Sequence, residues 1–248
     1  MDFKLLSRAL KARFRDQAHE LRAVRQALSN GGTSIDVGAN KGSYLYSMAR
    51  WAHGAPVFAF EPQRALADYL RSACQRSGLA NARVENLALS DVQGELNLYV
   101  PGDATSLGAS LEASIADRTN CHTETVQVTT LDRYADTHIK TPVRTIKIDV
   151  EGHELAVVKG ALQLIKRDKP LLIIECEGRH LPVGQTVATF IAFVEALGYT
   201  ATLAMPGGSE LPAKQFDPSQ HQRQTGERFW DAKDYYNNFI FRPIKLNA

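Results

Sequence analysis

At 248 residues, the chain is long enough to form one large α/β domain with a buried core, or two small domains. Its 44% hydrophobic and 23% charged residues are ordinary for a globular protein, and a net charge of +2 gives no basis for expecting nucleic-acid binding. No stretch reaches the roughly 20 apolar residues of a membrane span, no signal-peptide core follows Met1, and three scattered cysteines predict neither a disulfide framework nor a zinc site. We therefore expect a cytoplasmic protein in which Cys74 and Cys176 are small core residues.

The first predicted element is one long amphipathic helix in an N-terminal extension, residues 1–30. Apolar side chains recur there at helical spacing, which predicts a helix packed on the domain with its basic face in water. The alternatives are contact with a partner, including a homodimer formed through this helix, and attachment to a membrane surface. The apolar positions are Phe3, Leu6, Leu10, Phe14, Leu21, Val24 and Leu28, and the basic ones are Lys4, Arg8, Lys11, Arg13, Arg15, Arg22 and Arg25.

Strands and helices then alternate, which predicts an α/β fold with a doubly wound, mainly parallel sheet covered on both faces. An insertion over 94–131 alternates like an exposed β-hairpin around a polar loop. Without a linker or repeat, one domain is expected, with a cofactor-binding core at 33–177 and a C-terminal part at 178–248 that completes the sheet. The strands are predicted at 33–38, 56–60, 82–87, 144–149, 170–176, 199–204 and 238–241, and the helices near 43–53, 63–77, 153–167 and 186–197.

The turn after the first strand is rich in glycine and leads directly into a helix. Gly38 and Gly42 allow a tight turn and a close approach by a ligand, and Ala39 and Asn40 lie between them. Glu61 ends the next strand, about 20 residues on, where an acid is placed to accept hydrogen bonds from ribose hydroxyls. Together these residues predict a nucleoside cofactor.

The spacing of the turn distinguishes between two nucleoside cofactors. A dinucleotide turn has the spacing G-x-G-x-x-G, whereas this turn reads G-x-x-x-G and is preceded by Asp36. A carboxylate beside the ligand attracts a cationic group and repels a pyrophosphate. The turn therefore favours S-adenosylmethionine over NAD.

Two further strand ends lie at the same edge of the predicted sheet. Ala88 and Leu89 are predicted to form the apolar wall for an adenine ring and Ser90 its polar edge, or else this segment is a simple strand-ending turn. Glu175 and Glu177 end the strand after residue 170 and add acids to this edge, while His180 is expected to be a loop residue.

The segment after the strand at 144–149 carries an unusual concentration of charge. Asp149, Glu151, His153 and Glu154 lie within six residues, and unpaired charge is costly at the end of a buried strand. His153 is the more natural general base, Asp149 or Glu151 would orient the acceptor or the cofactor, and Glu154 is expected as an acid of the next helix's first turn. Pairing of an acid with Lys147 is the structural alternative, and a divalent cation bound by the carboxylates is another.

These segments together resemble the FkbM family of class I S-adenosylmethionine-dependent methyltransferases, which have a Rossmann-like fold. The resemblance covers residues 33–177. It implies O-methylation of a small-molecule or glycan hydroxyl, commonly of a sugar or polyketide, with Asp36, Gly38 and Glu61 at the cofactor and Asp149 to His153 bordering the site of methyl transfer. It is carried by residues 35–42, Thr130-Leu131-Asp132, residues 146–154, Lys159-Gly160-Ala161, Ser106-Leu107 and Ile173-Ile174-Glu175.

Two other functions remain open from the sequence. One is an NAD-dependent oxidoreductase, and the other is a non-catalytic protein of the same fold that binds the cofactor. Acceptor contacts are expected from the loop at 102–120 and the polar segment at 206–236, because insertions at the ligand edge usually carry specificity.

Overall fold

The computed structural model describes residues 1–102, 104–115, 120–205, 208–226, 229, 232 and 234–244. None of the helices within these residues is long and apolar enough to cross a membrane. The strands are β1 (Thr33–Val37), β2 (Val57–Phe60), β3 (Ala82–Glu85), β4 (Ala88–Leu89), β5 (Gly94–Pro101), β6 (Cys121–Thr129), β7 (Val143–Ile148), β8 (Leu171–Glu175), β9 (Tyr199–Ala204), β10 (Glu210–Pro212) and β11 (Asn238–Pro243). The helices are α1 (Phe3–Lys11), α2 (Ala18–Ala27), α3 (Ser43–Trp51), α4 (Arg64–Arg76), α5 (Leu131–His138), α6 (Glu154–Lys159), α7 (Leu162–Asp168), α8 (Val187–Glu195) and α9 (Pro218–His221).

The central sheet confirms the predicted α/β fold. Within the described residues its strand order is β10-β9-β11-β8-β7-β1-β2-β3. Strands β8, β7, β1, β2 and β3 are parallel, and β11 and β10 add antiparallel pairs at one side. Apolar clusters cover both faces, with α1 to α4 on one and α5 to α8 on the other. The chain order reverses between β1 and β7, and in such sheets the crevice beyond that point is where ligands bind.

The insertion predicted over 94–131 forms a separate three-stranded sheet in the order β4-β6-β5. Its strands β5 and β6 are antiparallel and enclose a small apolar core of Leu98, Val100, Val126 and Val128. The predicted strand at 82–87 ends earlier, at Glu85, and the next two-residue strand, β4, joins this second sheet.

The N-terminal helix differs from its prediction in continuity and in the face that it buries. It is divided into α1 and α2 by a π-helical turn, Ala12–Asp16. In α1 the buried side chains are Leu5 and Ala9, whereas the predicted apolar positions Phe3, Leu10 and Phe14 are exposed. Leu5 packs directly over the glycine turn, where Gly42 leaves room for it: a β-carbon at Gly42 would lie 2.7 Å from Cδ1 of Leu5. This contact determines which face of α1 is buried. Further along, Leu21, Val24 and Leu28 are buried as predicted.

The helix predicted near 153–167 is interrupted, so that α6 and α7 are separate. Gly160 lies so close to Ser90 that a β-carbon there would overlap the Ser90 carbonyl oxygen. The amide of Asp132 donates to the Gly160 carbonyl at 2.8 Å, and the Asp132 carboxylate accepts the amides of Gln163 and Leu164 at the start of α7. Two segments of the family resemblance, around Asp132 and around Gly160, are therefore parts of one contact.

Besides β4, two helices and one strand of the described residues were not predicted from the sequence. Helix α5 begins at the Thr130 cap, whose side chain accepts the Arg133 amide, where the region assigned to the hairpin ends. Strand β10 and the short helix α9 lie in the segment 206–236 that was expected to be polar loop, part of which lies outside the described residues.

We expect Gly160→Ala to lower the free energy of unfolding by about 2 kcal/mol or more, because the added methyl group meets a backbone carbonyl that cannot rotate away. Denaturant unfolding of the purified protein measures this. Gly178→Ala is the matched control, since a β-carbon there meets its nearest neighbour at 3.5 Å and should change the free energy by less than about 1 kcal/mol. Equal losses in the two variants would contradict the contact.

Candidate functional site

The glycine turn and the acidic segment meet at the carboxyl ends of β1 and β7. The amide of Asp149 donates to the carbonyl of Val37 at 3.1 Å, and a β-carbon at Gly38 would overlap the carbonyl oxygen of Asp149. The backbone φ of Gly38 is +74°, a conformation that other residues rarely adopt. Gly38 is therefore needed where the two strands end, and it brings together two segments that lie more than 100 residues apart.

Glu61 is buried behind the turn and holds it in shape. Its Oε2 accepts the backbone amide of Asn40 at 2.8 Å, and its Oε1 accepts that of Gln63 at 2.9 Å. Burial raises the pKa of Glu61 to about 7, against the two amide hydrogen bonds, which lower it. A carboxylate has about four acceptor positions, so further donors can still bind its free lone pairs. The amides of Gly38 and Ala39 both donate to the Phe60 carbonyl, which completes the turn.

Beside Glu61 lies a cavity with a mainly apolar lining. Ala88 and Leu89, the residues predicted to form an adenine wall, line this cavity, whereas Ser90, predicted at the polar edge, does not. The apolar lining consists of Val37, Phe60, Pro62, Leu87, Ala88, Leu89, Leu98, Leu107, Ala109, Leu111 and Val150.

One wall of the apolar cavity is formed by residues 104–115, here called the strap. The Gln63 side chain makes two hydrogen bonds with the backbone of Ser106, at 2.8 and 2.9 Å. The Ser110 hydroxyl donates to the Glu151 carbonyl at 2.7 Å. The strap, which is part of the loop predicted to contact the acceptor, is thus fixed to both sides of the cavity.

His153, predicted as the general base, lies behind this wall and lines neither the cavity nor the cleft described next. Its Nδ1 is 2.6 Å from Oε1 of Glu112 in the strap, and its Nε2 is 2.9 Å from the hydroxyl of Ser90. Both ring nitrogens are therefore used to join the strap, β4 and the acidic segment.

A polar cleft of about 390 Å³ opens on the other side of the glycine turn. Its floor is acidic, with the carboxylates of Asp36, Asp149, Glu151 and Glu175. Residues from the N-terminal segment form a wall, namely Arg8, Lys11, Ala12, Asp16 and Gln17. Asn40, Asp149 and Glu151 line both the cleft and the apolar cavity, so the two spaces share a border at these residues.

Lys147 supplies a buried positive charge to the floor of the cleft. Its Nζ lies 3.2 Å from Oδ2 of Asp149 and 4.0 Å from Oε2 of Glu175, and the register of β1 and β7 pairs it with Asp36. Burial by itself would lower the pKa of Lys147, but the facing carboxylates, Asp149 first, raise it above its ordinary value. The pairing considered from the sequence as a structural alternative is present, and one ammonium serves several acids.

The carboxylates around Lys147 outnumber it, and the pKa values of two of them are raised. Burial raises the pKa of Asp36 to about 7, although Lys147 acts in the opposite direction. Burial and then the neighbouring charge of Asp149 raise the pKa of Glu175 well above its ordinary value. With all of its carboxylates ionised, the floor would therefore carry more negative than positive charge.

Glu151 and Glu154 give the acidic segment its shape. Glu151 has a φ of +55°, and its Oε2 lies 2.9 Å from Nδ1 of His180, a residue expected from the sequence to be a loop residue only. Glu154 is buried, and its Oε1 accepts the amides of Val150 at 3.2 Å and Gly152 at 3.1 Å. Glu154 was predicted only as an acid in the first turn of a helix, but it also holds the loop that carries Asp149 and Glu151.

Glu177 is engaged away from the site. Its carboxylate accepts hydrogen bonds from Arg179, Tyr235 and Asn237, and it lines neither space. Among the described residues, no group of three or more His, Cys, Asp or Glu side chains is arranged to hold a metal ion.

Three buried polar atoms that belong to the lining have no hydrogen-bond partner within the described residues: Oδ2 of Asp36, Oδ1 of Asn40 and the Tyr44 hydroxyl. Such atoms are costly unless a ligand or water binds them. Tyr44 was not predicted as a site residue, since an aromatic side chain in the first turn of a helix carries no signal of its own.

Comparisons with known proteins agree with this arrangement. The model of the methyltransferase FkbM domain matches residues 36–201. The crystal structure of a methyltransferase FkbM from Methylobacillus flagellatus KT superimposes with a TM-score of 0.53 at 17% identity, over 86% of this chain and 44% of that one. That of an O-methyltransferase from Bacillus cereus in complex with SAH gives a TM-score of 0.52 at 14% identity, over 99% of this chain and 92% of that one. At these identities the two structures show a shared fold, and this chain spans less than half of the first protein. A search of curated proteins found no match.

Proposed function

This chain belongs to the FkbM methyltransferase family, and from that premise we propose that it transfers a methyl group from S-adenosylmethionine to a hydroxyl of a small-molecule or glycan acceptor. The observation that carries the proposal is the excess of carboxylates at the floor of the polar cleft, where Asp36, Asp149 and Glu175 share Lys147. The other cations of the lining, Arg8, Lys11 and Lys41, belong to the N-terminal segment and the glycine turn. A cationic ligand would balance the carboxylates of the floor.

The residues present fit S-adenosylmethionine. Glu61 would accept the ribose hydroxyls, Ala88 and Leu89 would contact the adenine, and the unpartnered oxygens of Asp36 and Asn40 would receive the ammonium group. When bound, S-adenosylmethionine supplies an activated methyl group on a positively charged sulfur. The border between the apolar cavity and the polar cleft is where its adenosine and its amino-acid part would meet.

An NAD-dependent oxidoreductase is less compatible with the same lining. The pyrophosphate of NAD would lie beside the carboxylates of Asp36 and Asp149. Neighbouring negative charges repel strongly in a partly buried site. Asn40 also stands where a dinucleotide turn has its middle glycine.

Within the cleft, we assign proton removal from the acceptor hydroxyl to Asp149. Its carboxylate is partly exposed at the border of the two spaces, and Lys147 holds it by an ion pair at 3.2 Å. A carboxylate within hydrogen-bond reach of a hydroxyl can take its proton as the oxygen attacks. Glu151 would orient the acceptor with His180 behind it, and His153, whose ring nitrogens are both occupied, is a positioning residue.

A sugar hydroxyl is the proposed acceptor, supported by the resemblance to the FkbM family and by the oxygen-rich floor. Carboxylates accept hydrogen bonds from several hydroxyls at once, which suits a polyol. The cytoplasm remains the proposed location, supported by the small number and scattered positions of the cysteines in the sequence. Cys74 and Cys176 are buried, as predicted.

Calorimetric titration tests the cofactor. We expect S-adenosylmethionine to bind with micromolar affinity and NAD not to bind. Glu61→Gln should weaken binding by about tenfold or more, since a hydrogen bond to a charged group contributes roughly 1.5–3 kcal/mol. Glu95→Gln, on the exposed side of β5, is the matched control and should bind like the unaltered protein. Binding of NAD alone would remove the methyltransferase proposal for this cleft.

Transfer of labelled methyl groups to a panel of mono- and oligosaccharides tests the reaction. Asp149→Asn should lower turnover by about 100-fold, because a positioned base contributes that much, while cofactor affinity changes far less. Asp136→Asn, an exposed acid on α5, should change neither quantity. Equal losses of turnover and affinity in Asp149→Asn would make Asp149 a cofactor ligand only, and binding without transfer to any acceptor would favour the non-catalytic alternative.

A further inference from the structure

The first 14 residues carry a group of large apolar side chains that face water. Met1, Phe3, Leu10 and Phe14, here called the N-terminal ridge, make up half of the eight such residues within the described chain. Phe3 is 79% exposed and Phe14 is 70% exposed. Single exposed apolar residues need no explanation, but a group of them marks an interaction surface.

The ridge is a second apolar face on a helix that already packs on the protein. Phe3 and Leu10 are seven residues apart, so they lie on one side of α1, and Phe14 continues their line into the π-helical turn. Leu5 and Ala9 lie on the opposite side and are buried. The ridge therefore needs no rearrangement of α1 to contact a partner.

Basic side chains flank the ridge. Residues 1–25 hold seven Lys or Arg against three acids, whereas the whole chain holds 29 against 27. Of the three acids, Asp2 is paired with Arg76 and caps α1, Asp16 is paired with Lys11 and Arg15, and Glu20 is buried. The positive charge is thus concentrated beside the exposed apolar side chains.

We propose that the N-terminal ridge docks on an anionic bilayer surface. Phe and Leu on one side, with Lys and Arg around them, are the composition of helices that lie in the membrane interface, where apolar side chains enter the headgroup layer and basic ones meet lipid phosphates. A second copy of the chain fits less well, because a symmetric contact would bring two equally basic faces together.

Docking would orient the molecule. Arg8, Lys11 and Ala12 come from the same segment and form a wall of the polar cleft. The mouth of the cleft would therefore lie next to the bilayer. The segment precedes residue 36, where the match to the family begins, so this surface is separate from the shared domain.

Co-sedimentation with vesicles tests the proposal. The full chain should sediment with vesicles of equal parts phosphatidylglycerol and phosphatidylcholine, less so in high salt, and hardly at all with phosphatidylcholine alone. The double variant Phe3→Ser with Phe14→Ser should lose about tenfold or more of this partitioning. The control, Val92→Ser with Val183→Ser, removes exposed apolar side chains elsewhere and should partition like the unaltered protein.

A charge variant separates the two contributions. Lys4→Gln with Arg15→Gln keeps the ridge and should reduce the preference for anionic vesicles, because it removes two of the seven basic side chains. All four altered side chains of these two test variants are exposed, so thermal unfolding should be unchanged, and this is checked first. Failure to bind anionic vesicles, equal binding to both vesicle types, or unchanged binding of the Phe3 and Phe14 variant would overturn the proposal. A dimer that this variant dissociates, or an acidic protein bound without vesicle binding, would assign the ridge to that partner instead.

Discussion

Lys147 lies in β7 between the buried side chains of Ile146 and Ile148, and its charge is stable there only because Asp149 and Glu175 face it. The same ion pair directs the carboxylate of Asp149 toward the border of the cavity and the cleft. One ammonium, however, cannot balance Asp36, Asp149 and Glu175 together, so burial keeps the pKa values of Asp36 and Glu175 raised. The lysine thus makes the acidic floor viable and leaves it short of positive charge, which is the property that a sulfonium ligand would use.

Close backbone contacts bring these charges together. Gly38 allows the end of β1 to touch Asp149, and Gly160 allows α6 to approach Ser90, from which His153 and Glu112 continue into the strap. A side chain at either glycine would separate segments that must meet. The apolar cavity is therefore bordered by parts of the chain that are distant in sequence and fixed to one another by hydrogen bonds.

The sequence predicted the elements whose signal is local. The alternation of strands and helices predicted the sheet, and the spacing of Gly38 and Gly42 located the turn. Ala88 and Leu89 line the apolar cavity, and their contact with adenine stays a prediction. Contacts across the fold could not be predicted in this way. His180 reaches Glu151 through a loop, and Glu154 turns back to bind Val150 and Gly152, so neither position has a distinctive neighbour in sequence. The prediction for the buried face of α1 was wrong because it followed the helical spacing of the large apolar residues, including Phe3 and Phe14. The face that is buried carries Leu5 and Ala9, and Leu5 fits the space above Gly42.

Proton release during cofactor binding tests most directly whether a cationic ligand supplies the positive charge that the acidic floor lacks. Asp36 and Glu61 have pKa values of about 7 and are largely protonated at a pH of about 6.5, where the free α-amino group of the ligand, with a pKa near 8, is already charged. A bound cation favours the ionised carboxylates, so S-adenosylmethionine should release on the order of one proton. Calorimetry would then give a more negative enthalpy in Tris than in phosphate, and Asp36→Asn should reduce the difference. Binding with the same enthalpy in both buffers would contradict the account.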